Sequence, residues 1–358
     1  MTNTEIIYFD DDEEDLNKYS IILKDKLSAN VFPSEPPDDL TLKDLPEEAD
    51  MILIDYDLGL KRKNGKIAPY RGGTLAALLR EKYPDVPLVI LSRPSVFIDP
   101  NFSVDQLAAA DDWYYKHTLT TDQRTSAGLL SLVSGFRAIR LSPRGDWNAL
   151  AKLMGAREDE LDMLKEAGAP FRHIPEMKNS SWTAHELANW VRKTIMLFPG
   201  ILYNKLYAST ALGIDQSEFE ESDIQGLFKD AEYRGVFSGA NPTWWRTRLF
   251  NTAENLMSAG KLRGPIVPTF APAFEIVHTR KLKPATCVSS GESPADAVCF
   301  VLNAPVMRKY SLEYFPDSRP SVMDTARVSF KAIREKNEFR EEFLTESGRE
   351  LAKKIQNE

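Results

Sequence analysis

Five short runs rich in apolar and aromatic residues, separated by stretches of helical period, leave few folds open to the first 140 residues. The runs are EIIYF, ANVFP, MILID, PLVILS and DWYYK. MILID and LVILS show no alternation of polar and apolar residues, so both of their faces must be covered, as in a parallel sheet. Between the runs lie candidate helices. Leu16, Tyr19, Ile22, Leu23 and Leu27 recur at helical spacing. GTLAALLREKYP is closed by its proline, and VDQLAAA and TSAGLLSLVSGFRAIR follow. Strands alternating with helices predict a doubly wound α/β domain with a parallel five-stranded sheet.

Ligands of open α/β sheets bind beyond the carboxyl ends of the strands. Four of the predicted ends carry polar chemistry. The first run ends in Asp10, Asp11 and Asp12, the third in Asp55 with Asp57 two residues on, the fourth in Ser92 and the fifth in Lys116. Parallel strands would bring these ends to one edge. Carboxylates that close repel each other and need a counter-charge. Hard oxygen ligands of this kind suit Mg²⁺, which keeps several waters and takes one or two carboxylates. A lysine and a hydroxyl opposite the metal would hold the oxygens of a phosphoryl group.

With DDD after IIYF, ILID at 52–55, LVILS at 88–92 and YYK at 114–116, the region of about residues 4–140 resembles the receiver domains of two-component response regulators. The resemblance implies a role for each matched position. Asp55 is the phosphoacceptor, a carboxylate nucleophile that attacks a phosphohistidine. Asp11 is a direct Mg²⁺ ligand, supported by Asp10, and Asp57 contributes its backbone carbonyl. Ser92 and Lys116 hold phosphoryl oxygens, and Trp113 stands where many receivers place an aromatic switch. The partner implied is a histidine kinase or phosphotransfer protein. The chain departs from the pattern in three places. His117 stands where a proline is usual, and Arg93 where a small residue is usual. The loop after Asp55 is about ten residues longer than usual and carries Lys61, Arg62, Lys63, Lys66 and Arg71 with no acid.

The boundaries expected are 1–141 for the receiver and 147–358 for a mostly helical output or interaction domain, with a sub-boundary near 264. SPRGD, at 142–146, reads as the connecting turn. In the second part, NALAKLMG and EDELDMLKEAG read as two short helices, and Thr183 with Glu186 as the capping box of a longer one through SWTAHELANWVRKTIMLF. PIVPTFAPAFEIVHTR and ADAVCFVLNAPV read as strand-like, and Met323 to Ile355 as a charged helix. TWWRTRLFNTAENLMSAG reads as a helix with Trp245, Arg248 and Leu249 on one face, either core or a protein-contact surface.

Charge and composition narrow the function. The net charge of -8 lies wholly in residues 1–140, which hold 24 acids and 16 bases. The helix EDELDMLKEAG carries five acids, a poor surface for DNA phosphates. No run is long and apolar enough to span a membrane. Cys287 and Cys299 lack zinc spacing and read as buried thiols, and the N-terminus lacks the pattern of a signal peptide. A cytoplasmic location is therefore expected. His173, His185 and His278 complete no catalytic motif, and His185-Glu186 reads as a capped helix start. The expectation is a response-regulator-like protein whose C-terminal module contacts another protein or a second copy. No enzyme activity is expected beyond self-catalysed formation and hydrolysis of the aspartyl phosphate. Two other readings stay open from sequence. One is a phosphate-independent scaffold with a degenerate receiver. The other is an effector enzyme acting on nucleic acid or a nucleotide, which requires a pocket within 147–358.

Overall fold

The five runs pair as one parallel sheet in the computed structural model of the chain. The structure describes residues 4–37, 42, 45–59, 67–94, 108–143, 146–168, 183–239, 241–315, 322–336 and 339–357. The strands are β1 (Thr4–Phe9), β2 (Ala29–Ser34), β3 (Met51–Asp55), β4 (Leu88–Ser92) and β5 (Asp112–Tyr115), in the order β2-β1-β3-β4-β5. Every pairing is parallel. β3 and β4 are buried at all positions, as their unbroken apolar text requires. β2 and β5 are the edges. Pro33 sits in β2, where a missing amide costs no internal ladder. Strand alternation sends Ile7, Phe9, Ile52, Ile54, Leu88 and Ile90 to one core together with Leu75 and Leu79.

The helices that frame the strand ends are α1 (Glu13–Leu27), α2 (Gly72–Lys82), α3 (Thr118–Thr121) and α4 (Gln123–Arg140). Asp12 caps α1 by accepting from the amides of Glu14 and Asp15. Glu13, Glu14 and Asp15 then occupy its first turn, where the helix dipole favours acids. α2 starts against the end of β3. A Cβ on Gly72 would lie 2.2 Å from the carbonyl oxygen of Asp55 and 2.8 Å from the Cα of Tyr56, so only glycine allows that approach.

The chain divides into two compact units. The first takes Met1–Leu153, Glu176–Arg192 and Gly235–Ala240. The helix Ala184–Trp190 packs on α4, and its capping box joins Thr183 and Glu186. It gives way to a π-helical turn at Val191–Met196, so the longer helix read from sequence changes its winding there. Phe237 meets α4 at Gly135, where a Cβ would come within 2.2 Å of the ring. Of the predicted helix VDQLAAA only Ala108, Ala109 and Ala110 are described, in a turn; its first four residues, the basic residues 61–66 and His173 lie outside the described residues.

The second unit takes Met154–Pro175, Lys193–Arg234 and Asn241–Glu358 and mixes helix with sheet. β6 (Leu202–Asn204) and β7 (Thr243–Trp245) form an antiparallel pair. β8 (Ala297–Cys299), β9 (Ala304–Val306), β10 (Ser311–Tyr314) and β11 (Ala326–Ser329) form a sheet in the order β10-β11-β8-β9. One apolar core gathers Tyr203, Phe219, Phe228, Trp244, Phe270 and Phe274, and a second gathers Cys299, Val306, Tyr314, Val328, Ile333 and Ile355. Cys287 and Cys299 are both buried and unbridged.

Three expectations for this unit are corrected. Residues Ile266–His278 are helical, broken only at Val267 and Pro268, and not strand-like. Phe270, Ala273 and Phe274 supply a buried helical stripe. Pro272 falls within four residues of the break, where backbone amides lack a partner one turn back. The stretch from Met323 to Ile355 is not one helix. It holds β11, a short helix Phe330–Arg334 started by the Ser329 cap, and the helix Glu346–Asn357. Trp244 and Trp245 lie in β7, 7% and 1% exposed, and the helix begins only at Arg246. Their rings belong to the core. Arg248 lies 5.0 Å over Trp245 and pairs with buried Glu160 at 2.5 Å.

Candidate metal centre

Asp10 and Asp11 follow β1, and Asp55 ends β3, the neighbouring strand. Adjacent parallel strands place their carboxyl ends side by side, so the three carboxylates meet. One oxygen from each lies within 4.8 Å of the others, and all three residues are buried. Lys116 follows β5, and its amide donates to the carbonyl of Ser92 at 2.9 Å, which ties it to the end of β4. Its ammonium reaches Asp10 at 2.7 Å, Asp15 at 3.0 Å and Asp55 at 3.2 Å.

The electrostatics follow from burial and crowding. Burial pushes the Asp55 carboxyl well up. Lys116 opposes this, while Asp10 and Asp11 add to it. Burial works to lower Lys116, but Asp55 and Asp10 more than reverse it and hold the ammonium charged. Asp15 is drawn down against its own burial by hydrogen bonds from Arg93 and Lys116. Tyr8, fully buried in β1, donates its hydroxyl to Asp10, and its pKa is driven up by burial first and by Asp10 second.

Five carboxylates, those of Asp10, Asp11, Asp12, Asp15 and Asp55, thus face two cations, Lys116 and Arg93, and an excess of negative charge remains. Small, hard oxygen donors with uncompensated charge fit a divalent cation of the Mg²⁺ type. Asp10, Asp11 and Asp55 are the residues that would hold it.

The remaining predicted residues lie around this cluster. Ser92 is buried at the end of β4, and its hydroxyl donates to the carbonyl of Arg93 at 3.1 Å. Asp57 lies in the turn after β3 with its side chain exposed, so its carboxylate stands outside the cluster. Trp113 is 40% exposed on β5, edge-on to Tyr115 at 5.4 Å. Arg93 turns towards α1, 2.9 Å from Asp15 and 3.6 Å from Asp12. Arg71 lies 5.6 Å over the ring of Tyr56 at the start of α2.

Asp15 and Tyr8 are site residues that the sequence reading passed over. Tyr8 was open to detection, because two-residue alternation along β1 puts it on the face of Asp10. Asp15 reads as a first-turn acid of α1, and only the fold reveals that this turn faces Lys116.

No family model and no curated protein matches the chain. Solved structures do match its N-terminal region. A response regulator receiver protein from Sinorhizobium medicae is 21% identical, with 37% of this chain and 94% of that chain covered and a TM-score of 0.26. The N-terminal receiver domain of a two-component response regulator from Bacteroides fragilis is 20% identical, covering 38% and 97%, with a TM-score of 0.26. The response regulator TrrA from Thermotoga maritima, in complex with Mg²⁺ and BeF, is 16% identical, covering 31% and 85%, with a TM-score of 0.24. The N-terminal ~130 residues match receiver domains in structure, and the C-terminal region is unassigned. No described helix is long and apolar enough to cross a membrane.

Proposed function

We propose that the first unit receives a phosphoryl group on Asp55 and that the second unit acts as the output module of a signalling protein. The observation that carries this reading is the meeting of Asp10, Asp11 and Asp55 with Lys116 at one rim of the sheet. An oxygen of Asp55 attacks the phosphorus of a phosphohistidine. The P–N bond breaks, the imidazole leaves, and an acyl phosphate remains. Lys116, already 3.2 Å from Asp55, exchanges one carboxylate contact for a phosphoryl oxygen. Ser92 turns its hydroxyl from the Arg93 carbonyl to a second oxygen, and Trp113 follows that movement on the neighbouring strand. Bound Mg²⁺ would supply charge neutralisation at the phosphoryl oxygens, held by Asp10, Asp11 and Asp55 with the carbonyl of Asp57. The partner is a histidine kinase or a phosphotransfer protein, and the setting is the cytoplasm.

The test is the intact mass of the full chain after incubation with a small acyl-phosphate donor and Mg²⁺. The mass should rise by one phosphoryl group, and Asp55→Asn should abolish the rise. An unchanged wild-type mass would instead support a phosphate-independent scaffold. One observation favours that second reading: Arg93 and the Ser92 hydroxyl are already engaged within the chain.

A further inference from the structure

The second unit contains a cavity of about 580 Å³ that the phosphoryl-transfer reading leaves unused. Its size falls within the range of about 300–1,000 Å³ typical of small-molecule sites. One wall is aromatic. Tyr203 lies 6.1 Å from Tyr207 and 6.0 Å from Phe250 between ring centroids. Elsewhere in the lining are two guanidinium groups, Arg308 and Arg327. A third arginine, Arg246, is occupied: it pairs at 2.9 Å with Asp324, which also accepts from the Tyr203 hydroxyl at 2.5 Å.

Arg308 and Arg327 are compensated far less well. The guanidinium of Arg308 comes no nearer than 3.7 Å to Asp296, and its side chain is 70% exposed. Arg327 is 14% exposed; it donates to the Ser311 hydroxyl at 2.7 Å and to the carbonyls of Ser311 at 3.2 Å and Arg308 at 3.4 Å, and meets the Glu313 carboxylate only at 3.5 Å. Burial draws the Arg327 guanidinium down. Glu313 resists this, and the nearby charge of Arg308 adds to it. Two neighbouring cations with no carboxylate nearer than 3.5 Å among the described residues form a fork for an anion with several oxygens.

We propose that this cavity binds a nucleoside monophosphate. The phosphate bridges Arg308 and Arg327, and the planar base lies against Tyr207 and Phe250. Two guanidinium groups match one phosphate. Among the described residues no glycine lines the cavity to bring backbone amides up to a polyphosphate.

The test is isothermal titration calorimetry on the full chain with AMP, GMP, CMP and UMP, and with the matching nucleosides and inorganic phosphate as half-ligands. At least one nucleotide should bind saturably, tenfold or more tightly than its nucleoside and than phosphate. Arg308→Gln changes an exposed side chain and should leave the unfolding midpoint in place while weakening that nucleotide tenfold or more. Absence of binding by all four nucleotides at millimolar concentration overturns the proposal. So does inorganic phosphate binding as tightly as the nucleotides, or Arg308→Gln binding as the wild type does.

Discussion

Replacing Gly72 by alanine tests whether the approach of α2 to β3 sets the position of Asp55. The added Cβ would stand 2.2 Å from the Asp55 carbonyl oxygen, 2.8 Å from the Tyr56 Cα and 3.0 Å from the Asp55 carbonyl carbon. All three are backbone atoms, so no side chain can swing aside. Reaching a tolerable contact requires a shift of about 1 Å in the end of β3 or the start of α2. Overpacking of this kind costs about 1–3 kcal/mol. The better helix propensity of alanine returns up to about 1 kcal/mol. The net expectation is a loss of about 1–2 kcal/mol, together with a larger functional loss. A misplacement of about 1 Å at a reacting group costs about 10²-fold in rate, and acyl-phosphate formation should fall accordingly. Gly226→Ala is the control, because nothing lies within 4 Å of a Cβ there and the residue sits in the helix Ser222–Leu227. It should be neutral or stabilising by up to about 1 kcal/mol. Urea denaturation and the rate of mass increase with an acyl-phosphate donor read both effects. If Gly72→Ala matches wild type in both, the helix start does not position the acceptor.

Four further substitutions probe other parts of the chain. Arg93→Ala should cost less than about 1 kcal/mol of stability, since the pair with Asp15 is partly exposed. It should tighten Mg²⁺ binding roughly five-fold, because a cation several ångströms away is worth about 1 kcal/mol at an intermediate dielectric; weaker binding in a Mg²⁺ titration would refute this. Arg248→Met leaves the carboxylate of Glu160 buried without its partner and should cost about 3–5 kcal/mol in a denaturant titration. Adding Glu160→Met should restore a good part of that loss. Asp50 governs an acid transition. Burial works to raise its carboxyl, but Arg137, the Glu5 amide and Arg140 hold it at about 2. Because the folded value lies below the unfolded one, its stabilisation is complete above about pH 4 and fades as the pH falls towards 2. Asp50→Asn should lose of the order of 1 kcal/mol at neutral pH after allowance for solvent screening, and the difference from wild type should close between pH 4 and 2.

How much of this was legible before the structure depended on how local the controlling physics was. β3 and β4 could be read because their apolar text is continuous, and a doubly buried strand imposes just that. The ends of β1, β3 and β5 could be read because carboxylates and a lysine recur in order at several strand ends, which the cap that Asp12 supplies to α1 does not by itself require. Trp244 and Trp245 misled because bulky apolar residues beside a helical period look like part of the helix, whereas the pairing of β7 with β6 holds them. Residues 265–280 misled through their prolines, which suggest broken extended chain. The break at Val267–Pro268 lets the remainder wind as a helix. Asp15 was hidden because its role depends on Lys116, more than a hundred residues away.

The helix Ala184–Trp190 also escaped as a part of the first unit, and its contacts bear on how a signal would leave the sheet if Asp55 is phosphorylated as proposed. His185 bonds Asp111 at 2.8 Å, and Arg192 bonds the Asp111 carbonyl at 2.7 Å and the Asp112 carboxylate at 2.5 Å. Arg80 completes the ring around Asp111 at 2.5 Å. Asp111 and Asp112 stand at the start of β5, and Lys116 stands just past its end. A four-residue strand therefore joins the lysine that faces Asp55 to the residues that hold this helix, with Trp113 between them. The helix and Phe237 both lie on α4, so a second copy pairing through the same face of α4 would have to displace the chain's own segment. On the proposed phosphoryl-transfer reading, this favours a response passed along the chain, which leaves the first unit at Arg192, over one that depends on pairing two copies through α4.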